Sequence, residues 1–190
     1  MTRIVEPKTD RLQLRQWIEN DRDAFAAMSS DPRVMEFFPA TLTRFESDAV
    51  VDKCQALIAE RGWGVWAVEL CDTGQFIGII GLHVPDFELS VGPCVEVLWR
   101  LARPFWGFGY ATEGASAALK VGFEILNLQE IVSFTVLKNV RSRSVMEKLR
   151  MINSGETFHH PVLPEGSGLR EHCLYTISRS RWVDVCHSSS

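Results

Sequence analysis

Apolar and polar positions alternate along this chain in short runs, broken by glycine, proline and aspartate. From Arg11 to Trp17, Leu12 and Leu14 alternate with Arg11, Gln13 and Arg15, the period of a half-buried strand. Residues 20–29 carry Ala24, Phe25, Ala27 and Met28 at helical spacing. Asp31-Pro32 predicts a short helix, with Asp31 at the N-cap and proline at the first position. Thr43-Arg44-Phe45-Glu46 is a capping box. It opens a helix with Val50, Cys54, Leu57 and Ile58 on one face, ending before Gly62.

Two strands follow, Trp63–Cys71 and Phe76–His83, joined by the turn signal Asp72-Thr73-Gly74. A loop is expected over Pro85–Pro93. Val95–Leu101 is a strand with Val95, Val97, Trp99 and Leu101 on one face and Glu96, Leu98 and Arg100 on the other. Arg103-Pro104 ends it, and a helical pattern runs from Gly109 to about Leu126. The β-branched run Glu130–Leu137 reads as a buried strand, and Asn139 caps a helix reaching about Arg150. A loop with a final strand, Glu171–Ile177, completes the pattern, and residues 187–190 are expected to fray. The order suits an α/β (α+β) domain spanning 1–190, with a mixed sheet and helices on both faces.

Hydrophobic residues make up 46% of the chain, with six Trp and eleven Phe, which excludes a disordered chain. No apolar run approaches membrane-spanning length, and the first residues lack a signal core, so a cytoplasmic protein is expected. The net charge of −4 argues against a nucleic-acid binder, which needs a basic stripe. The basic clusters Arg141/Arg143 and Arg179/Arg181 read as solvated faces. Five cysteines without C-x-x-C spacing read as reduced structural thiols, and His159-His160 lacks the i, i+4 spacing of paired ligands. No metal is expected.

The richest segment is Trp106-Gly107-Phe108-Gly109-Tyr110-Ala111-Thr112-Glu113. A glycine-rich loop that opens a helix presents unpaired N–H groups and the positive end of the helix dipole, which together suit a phosphate. A dinucleotide fingerprint would need glycine at Thr112 and an early βα turn. A Walker loop would need Lys-Ser/Thr after the glycines. Neither is present. The plainer alternative is a tight turn with no ligand.

The loop resembles the pyrophosphate loop [Q/R]-x-x-G-x-[G/A] of the GNAT superfamily of acyl-coenzyme A N-acyltransferases, with Trp106 in the first place. The longer run P-x-W-G-x-G-Y-A-T-E is similar to the ribosomal-protein N-acetyltransferase (RimJ/RimL-like) branch. So are Thr9–Arg15 (T-x-R-L-x-L-R), Asp31–Met35 (D-P-x-V-M) and Asn139–Ser142 continuing to Glu147-Lys148-Leu149 (N-x-x-S…E-K-L). These ordered matches span about residues 9–151.

The resemblance implies the GNAT fold and acetyl-CoA as cosubstrate. It implies pyrophosphate on the N–H groups of Phe108, Gly109, Tyr110, Ala111 and Thr112, with Gly107 and Gly109 leaving space for it. It also implies that the strand before the loop splays from its neighbour. The Trp99 N–H would then serve the thioester carbonyl and Leu101 the pantetheine, where otherwise both groups would be paired in the sheet. Glu96 matches the family's base position. It lies three residues from Trp99, about 10 Å along a strand, so a water or a bulge must link base and amine. The other reading is an ordinary sheet glutamate. Many members place a tyrosine acid where this chain has Met146. Ser142 and Tyr175 remain as acid candidates, although Ser142 could instead cap its own helix. Asn139 is a helix cap with one possible cofactor contact. Arg150 stands where the family has glycine.

The expected reaction is acetyl transfer from acetyl-CoA to a primary amine, directly within a ternary complex. The amine would be a protein N-terminus or a small molecule, and the enzyme a monomer or homodimer with no nucleic-acid or membrane partner. An antibiotic or polyamine acetyltransferase and a non-catalytic acyl-CoA sensor stand as alternatives. The aromatic residues Trp17, Phe37, Phe38, Trp63 and Trp66 are pocket-wall or core candidates.

Overall fold

A computed structural model describes residues 2–87 and 92–188. Residues 88–91 of the expected loop and 189–190 of the expected frayed end lie outside the described residues. The strands are β1 (Leu12–Arg15), β2 (Val65–Leu70), β3 (Phe76–His83), β4 (Glu96–Leu101), β5 (Glu130–Val136), β6 (Ile152–His159) and β7 (Glu171–Ser178). The helices are α1 (Asp21–Ser30), α2 (Arg44–Arg61), α3 (Tyr110–Lys120), α4 (Val140–Lys148) and α5 (Arg179–Ser188). One seven-stranded sheet runs in the order β1-β2-β3-β4-β5-β7-β6. Neighbours are antiparallel except β4 and β5, which are parallel and meet at one register point, Glu96 opposite Val132.

The strand period assigns the faces. Ile80 stands opposite Trp99, and Ile79 opposite Arg100, so these two pairs project from opposite sides of the sheet. Helix α3 covers the Ile80 side; a methyl added at Gly114 would meet Ile80 Cδ1 at 2.4 Å, so the helix needs glycine to pack this close. Helix α1 covers the other side, where Phe25 lies against Trp17 and Arg100. Helices on both faces of a mixed sheet agree with the expected class.

Local chemistry explains most boundaries. Thr43 and Glu46 form the capping box, with Glu46 N–H donating to Thr43 Oγ1 (3.3 Å) and Thr43 N–H to Glu46 Oε2 (2.8 Å). Gly62 ends α2 at φ +82°, a left-handed position that glycine adopts without steric cost. Asp31 does not start a helix. Its carboxylate accepts from Arg33 N–H at 2.8 Å and its carbonyl from Met35 N–H at 3.0 Å, a single turn that does not propagate. The helical pattern after Gly109 also breaks sooner. Beyond Lys120 it widens into a π turn, with Leu126 N–H donating to Val121 O, and Asn127 at φ +56° stops it.

Two elements were not expected, β6 and α5. The basic pair that opens α5 does more than face solvent, although Arg181 is exposed as anticipated. Arg179 donates to the carbonyls of Leu128 (3.1 Å) and Phe123, and Arg181 Nε donates to the Arg150 carbonyl (2.6 Å). The Phe123 carbonyl lies in the last turn of its helical segment, while those of Leu128 and Arg150 belong to the turns that follow the π segment and α4. Arg150 itself takes φ +61°, so the turn usually made by glycine forms here with an arginine held left-handed. Among the described residues no helix is long and apolar enough to cross a membrane.

Candidate active site

β4 carries the site because it has a full partner on one side only. Ala102 N–H donates to Ile77 O at 2.9 Å, in register with the β3–β4 ladder. Antiparallel ladders alternate, so Arg100, Leu98 and Glu96 turn their backbone groups to β3, while Val97, Trp99 and Leu101 turn theirs toward β5. β5 has diverged by then, since its contact with β4 is the Glu96–Val132 point and the bond from Val132 N–H to Val95 O (2.9 Å). The N–H groups of Trp99 and Leu101 therefore face a wedge-shaped gap.

That gap opens into a cleft of ≈ 1010 Å³. Glu96, Trp99, Leu101, Asn139 and Ser142 line it, as do Trp106, Gly107, Gly109, Tyr110, Ala111 and Thr112 of the loop. At the loop end, Gly107 (φ +84°) and Gly109 (φ +85°) are both left-handed. A Cβ at Gly107 would meet no protein atom within 4 Å, so backbone conformation and the open space of the cleft, not packing, call for glycine there. Gly109 is the N-cap of α3 and offers no side-chain acceptor. Glu113 N–H returns to Gly109 O at 3.0 Å, which leaves the N–H groups of Tyr110, Ala111 and Thr112 without intrahelical acceptors. An anionic phosphate fits these donors and the dipole behind them.

Arg11 on the far side braces the loop. Its guanidinium meets Glu113 at 2.5 Å, donates to Phe108 O at 3.1 Å and sits 4.6 Å over the Tyr110 ring. Trp106 Nε1–H donates to Leu101 O at 2.8 Å, tying loop to strand. Arg141 lies 4.6 Å over the Trp106 ring and pairs with Glu36 at 2.6 Å, so it belongs to the cleft wall and is not merely a solvated cation.

Glu96 is 8% exposed and opens on the cleft. Burial pushes its carboxyl up to about 8, because the charged form loses hydration and no described cation replaces it. An exposed sheet glutamate, the plainer expectation, is thus overturned. A carboxyl of that kind can exchange a proton with an amine near neutral pH.

Other expectations separate here. Asn139 caps α4: its Oδ1 accepts from Ser142 N–H (3.2 Å) and its Nδ2 donates to Thr135 Oγ1 (3.0 Å), so structural bonds occupy both ends of the amide. The Ser142 backbone, not its hydroxyl, makes the capping bond, which leaves the hydroxyl on the cleft wall. Tyr175 is not brought into the cleft. It is 2% exposed, donates to Glu147 Oε1 at 3.2 Å and accepts from Arg143 Nε at 3.4 Å. Met146, in the tyrosine-acid position, is fully buried core. The Phe108 side chain points out and stacks on Tyr110 at 5.7 Å. Trp17 and Trp66 are core, whereas Phe37, Phe38 and Trp63 line the cleft. Sequence reasoning missed Arg11 as the loop's brace, and no local pattern signals a partner about a hundred residues away. Among the described residues no His/Cys/Asp/Glu group could hold a metal ion.

A splayed parallel strand pair, free N–H groups in the splay and a glycine-turned helix N-terminus at its mouth define an acyl-transferring enzyme. Residues 11–152 match the family model described as Acetyltransferase (GNAT) domain, and the chain belongs to that family. It is 29% identical to YnaD of Bacillus subtilis (strain 168), described as an uncharacterized N-acetyltransferase, over 92% of this chain and 97% of that one. It is also 29% identical to the FsC-acetyl coenzyme A-N(2)-transacetylase of Aspergillus fumigatus, over 92% of this chain and 77% of that one. The crystal structure of a GNAT-family acetyltransferase from Bacillus anthracis superposes with a TM-score of 0.77 at 26% identity, covering 93% of this chain and 99% of that one.

Proposed function

We propose that this acetyltransferase moves the acetyl group of acetyl-CoA directly to a primary amine in a ternary complex. Acetyl-CoA is a substrate here, not a resident cofactor, and no metal takes part. The N–H groups of Tyr110, Ala111 and Thr112 hold the pyrophosphate, with Gly107, Gly109 and the backbone of Phe108 shaping the turn. Leu101 N–H binds the pantetheine arm. Trp99 N–H donates to the thioester oxygen, whose negative charge grows as nitrogen attacks. Glu96 takes the ammonium proton through a water. The C–N bond forms as the C–S bond breaks, and the departing thiolate is protonated by solvent or by the Ser142 hydroxyl. No cysteine stands at these positions to carry an acyl intermediate.

One observation carries this reading: a buried glutamate with a raised pKa shares a cleft with unpaired strand N–H groups and an unpaired helix N-terminus. It also favours catalysis over an acyl-CoA sensor, which has no need of a base beside the thioester. The motif matches further suggest a RimJ/RimL-like branch, and an enzyme working in the cytoplasm as a monomer or homodimer on one domain. Thiol release from acetyl-CoA tests the proposal, with N-terminal peptides, amino acids, polyamines and aminoglycosides as acceptors. Acetyl-CoA that binds but yields thiol with no amine above the acceptor-free rate would favour the sensor.

A further inference from the structure

The cleft holds a cation that nothing described in the protein neutralises. Arg100 projects from the face of β4 that carries Glu96, four residues along the strand. Its guanidinium lies over the rings of Phe25 (5.2 Å) and Phe38 (5.0 Å), and Nη1 lies 3.1 Å from Met35 Sδ, a weak acceptor. Among the described residues no carboxylate pairs with it. The one titratable group whose charge acts on it is the Cys54 thiol, which burial pushes up to about 11 and so keeps neutral. Desolvation pulls Arg100 itself down to about 10. Arg100 is half-buried, and a partly desolvated positive charge without a counter-ion carries a cost that a bound anion removes.

The pyrophosphate is not that anion. The loop helix α3 packs on the Ile80–Trp99 face of the sheet, and Arg100 leaves from the opposite face. The charge of the whole wall points the same way. Lys53, Arg61, Arg100, Arg141 and Lys148 line the cleft, against Glu96 as its one described lining carboxyl. Lys53 and Arg141 have partners in Asp86 and Glu36, and Arg61 and Lys148, without an ion pair among the described residues, are exposed to water; Arg100 is unpaired and half-buried. Around it the wall is apolar, with Phe37, Phe38, Leu57 and Trp63.

Resting on the transfer reading above, we infer that Arg100 holds a carboxylate on the acceptor, which is therefore an apolar amine of the amino-acid class and not a polyamine or aminoglycoside. Arginine suits this role because its planar fork matches a carboxylate and its faces stack on rings. The amine is then presented on the Glu96 face of the strand while the carboxylate is held on Arg100.

Two probes differing in the carboxylate alone test this. Binding of N-acetyl-L-phenylalanine and N-acetylphenethylamine to the coenzyme A-loaded protein is measured by calorimetry, and thiol release is followed with L-phenylalanine and phenethylamine. The carboxylate should tighten binding by about tenfold or more, the effect of a charge-assisted hydrogen bond. Arg100→Gln, checked for folding by near-ultraviolet circular dichroism, should bring the ratio of the two affinities close to one, and Arg100→Lys should recover part of it. Equal binding of the two probes to the wild type, or spermidine outcompeting both, overturns the inference without any variant. So does an Arg100→Gln protein that keeps the wild-type ratio. A carboxylate preference in binding, with no amine transferred, would overturn the transfer reading and leave this assignment standing.

Discussion

The indole N–H of Trp106 donates to the carbonyl of Leu101 at 2.8 Å, across five residues that turn the chain from strand to loop. Leu101 therefore has its carbonyl fixed by the loop while its N–H faces the gap beside β5. The first position of the loop motif thus sets the geometry between the two backbone regions that hold the cosubstrate. Trp106→Phe keeps the ring under Arg141 and removes the donor. Leaving that carbonyl unpaired costs about 1–2 kcal/mol, so coenzyme A affinity should fall roughly five- to thirtyfold by calorimetry. An unchanged affinity would mean that the bond only decorates the turn.

Gly109 tests the loop from its other end. Its φ of +85° is left-handed, where a β-branched residue is strained by about 1–3 kcal/mol. A valine has room for its Cβ beside Arg11, at 3.5 Å, so the fold should survive. Its methyl groups would stand where phosphate must approach the Tyr110, Ala111 and Thr112 N–H groups. Gly109→Val should abolish measurable coenzyme A binding. A folded variant with wild-type affinity would refute pyrophosphate binding at this loop.

Ser142 and Tyr175 answer differently than the sequence alone suggests. A thiol pKa near 8.5 makes thiolate a competent leaving group, so Ser142→Ala should cost less than about tenfold in kcat, or about 1.4 kcal/mol. The Tyr175 hydroxyl is bonded to Glu147 and Arg143 away from the cleft. Tyr175→Phe should lower stability by about 1 kcal/mol and leave kcat near wild type. A hundredfold loss of kcat in the serine variant, with coenzyme A affinity intact, would identify it as a required acid.

Why some of this was legible in the sequence and some was not follows from what each feature depends on. The alternation of Val95–Leu101 was enough to place Glu96, Leu98 and Arg100 together, because strand faces follow from the period alone. The capping box, the glycine loop and the Asn139 cap are local as well, and appear in the structure as read. The strand β6 carries no such signal: Ile152–His159 is polar, interrupted by Gly155 and almost wholly exposed, and it pairs with β7 alone. Its pairing is tertiary, and the hydrophobic pattern does not record it. The direction of Tyr175 was equally hidden, since it depends on the register that sets Ser133 opposite Tyr175. The burial of Glu96 depends on how separate elements close over the strand. That burial gives the residue its chemistry, and only the folded chain displays it.

The raised pKa of Glu96 makes two linked predictions of defined sign. The folded carboxyl keeps its proton up to about 8, whereas the unfolded chain releases it near its ordinary value of 4.5. The folded state therefore binds more protons across that window, and this group's contribution makes stability fall as pH rises through it, levelling above about 8. Glu96→Gln removes that slope, and its stability relative to wild type should grow over the same range by an amount on the order of a few kcal/mol. Denaturant titrations at several pH values read this directly. The kinetic consequence is separate. If ionised Glu96 accepts the ammonium proton, the wild-type rate follows carboxylate times ammonium, while the glutamine variant depends on free amine alone. Their ratio is then constant below about 8, where gain in carboxylate cancels gain in free amine, and falls about tenfold per pH unit above it. A ratio in kcat/KM that stays flat through pH 10 would show that Glu96 shapes the cleft and takes no proton.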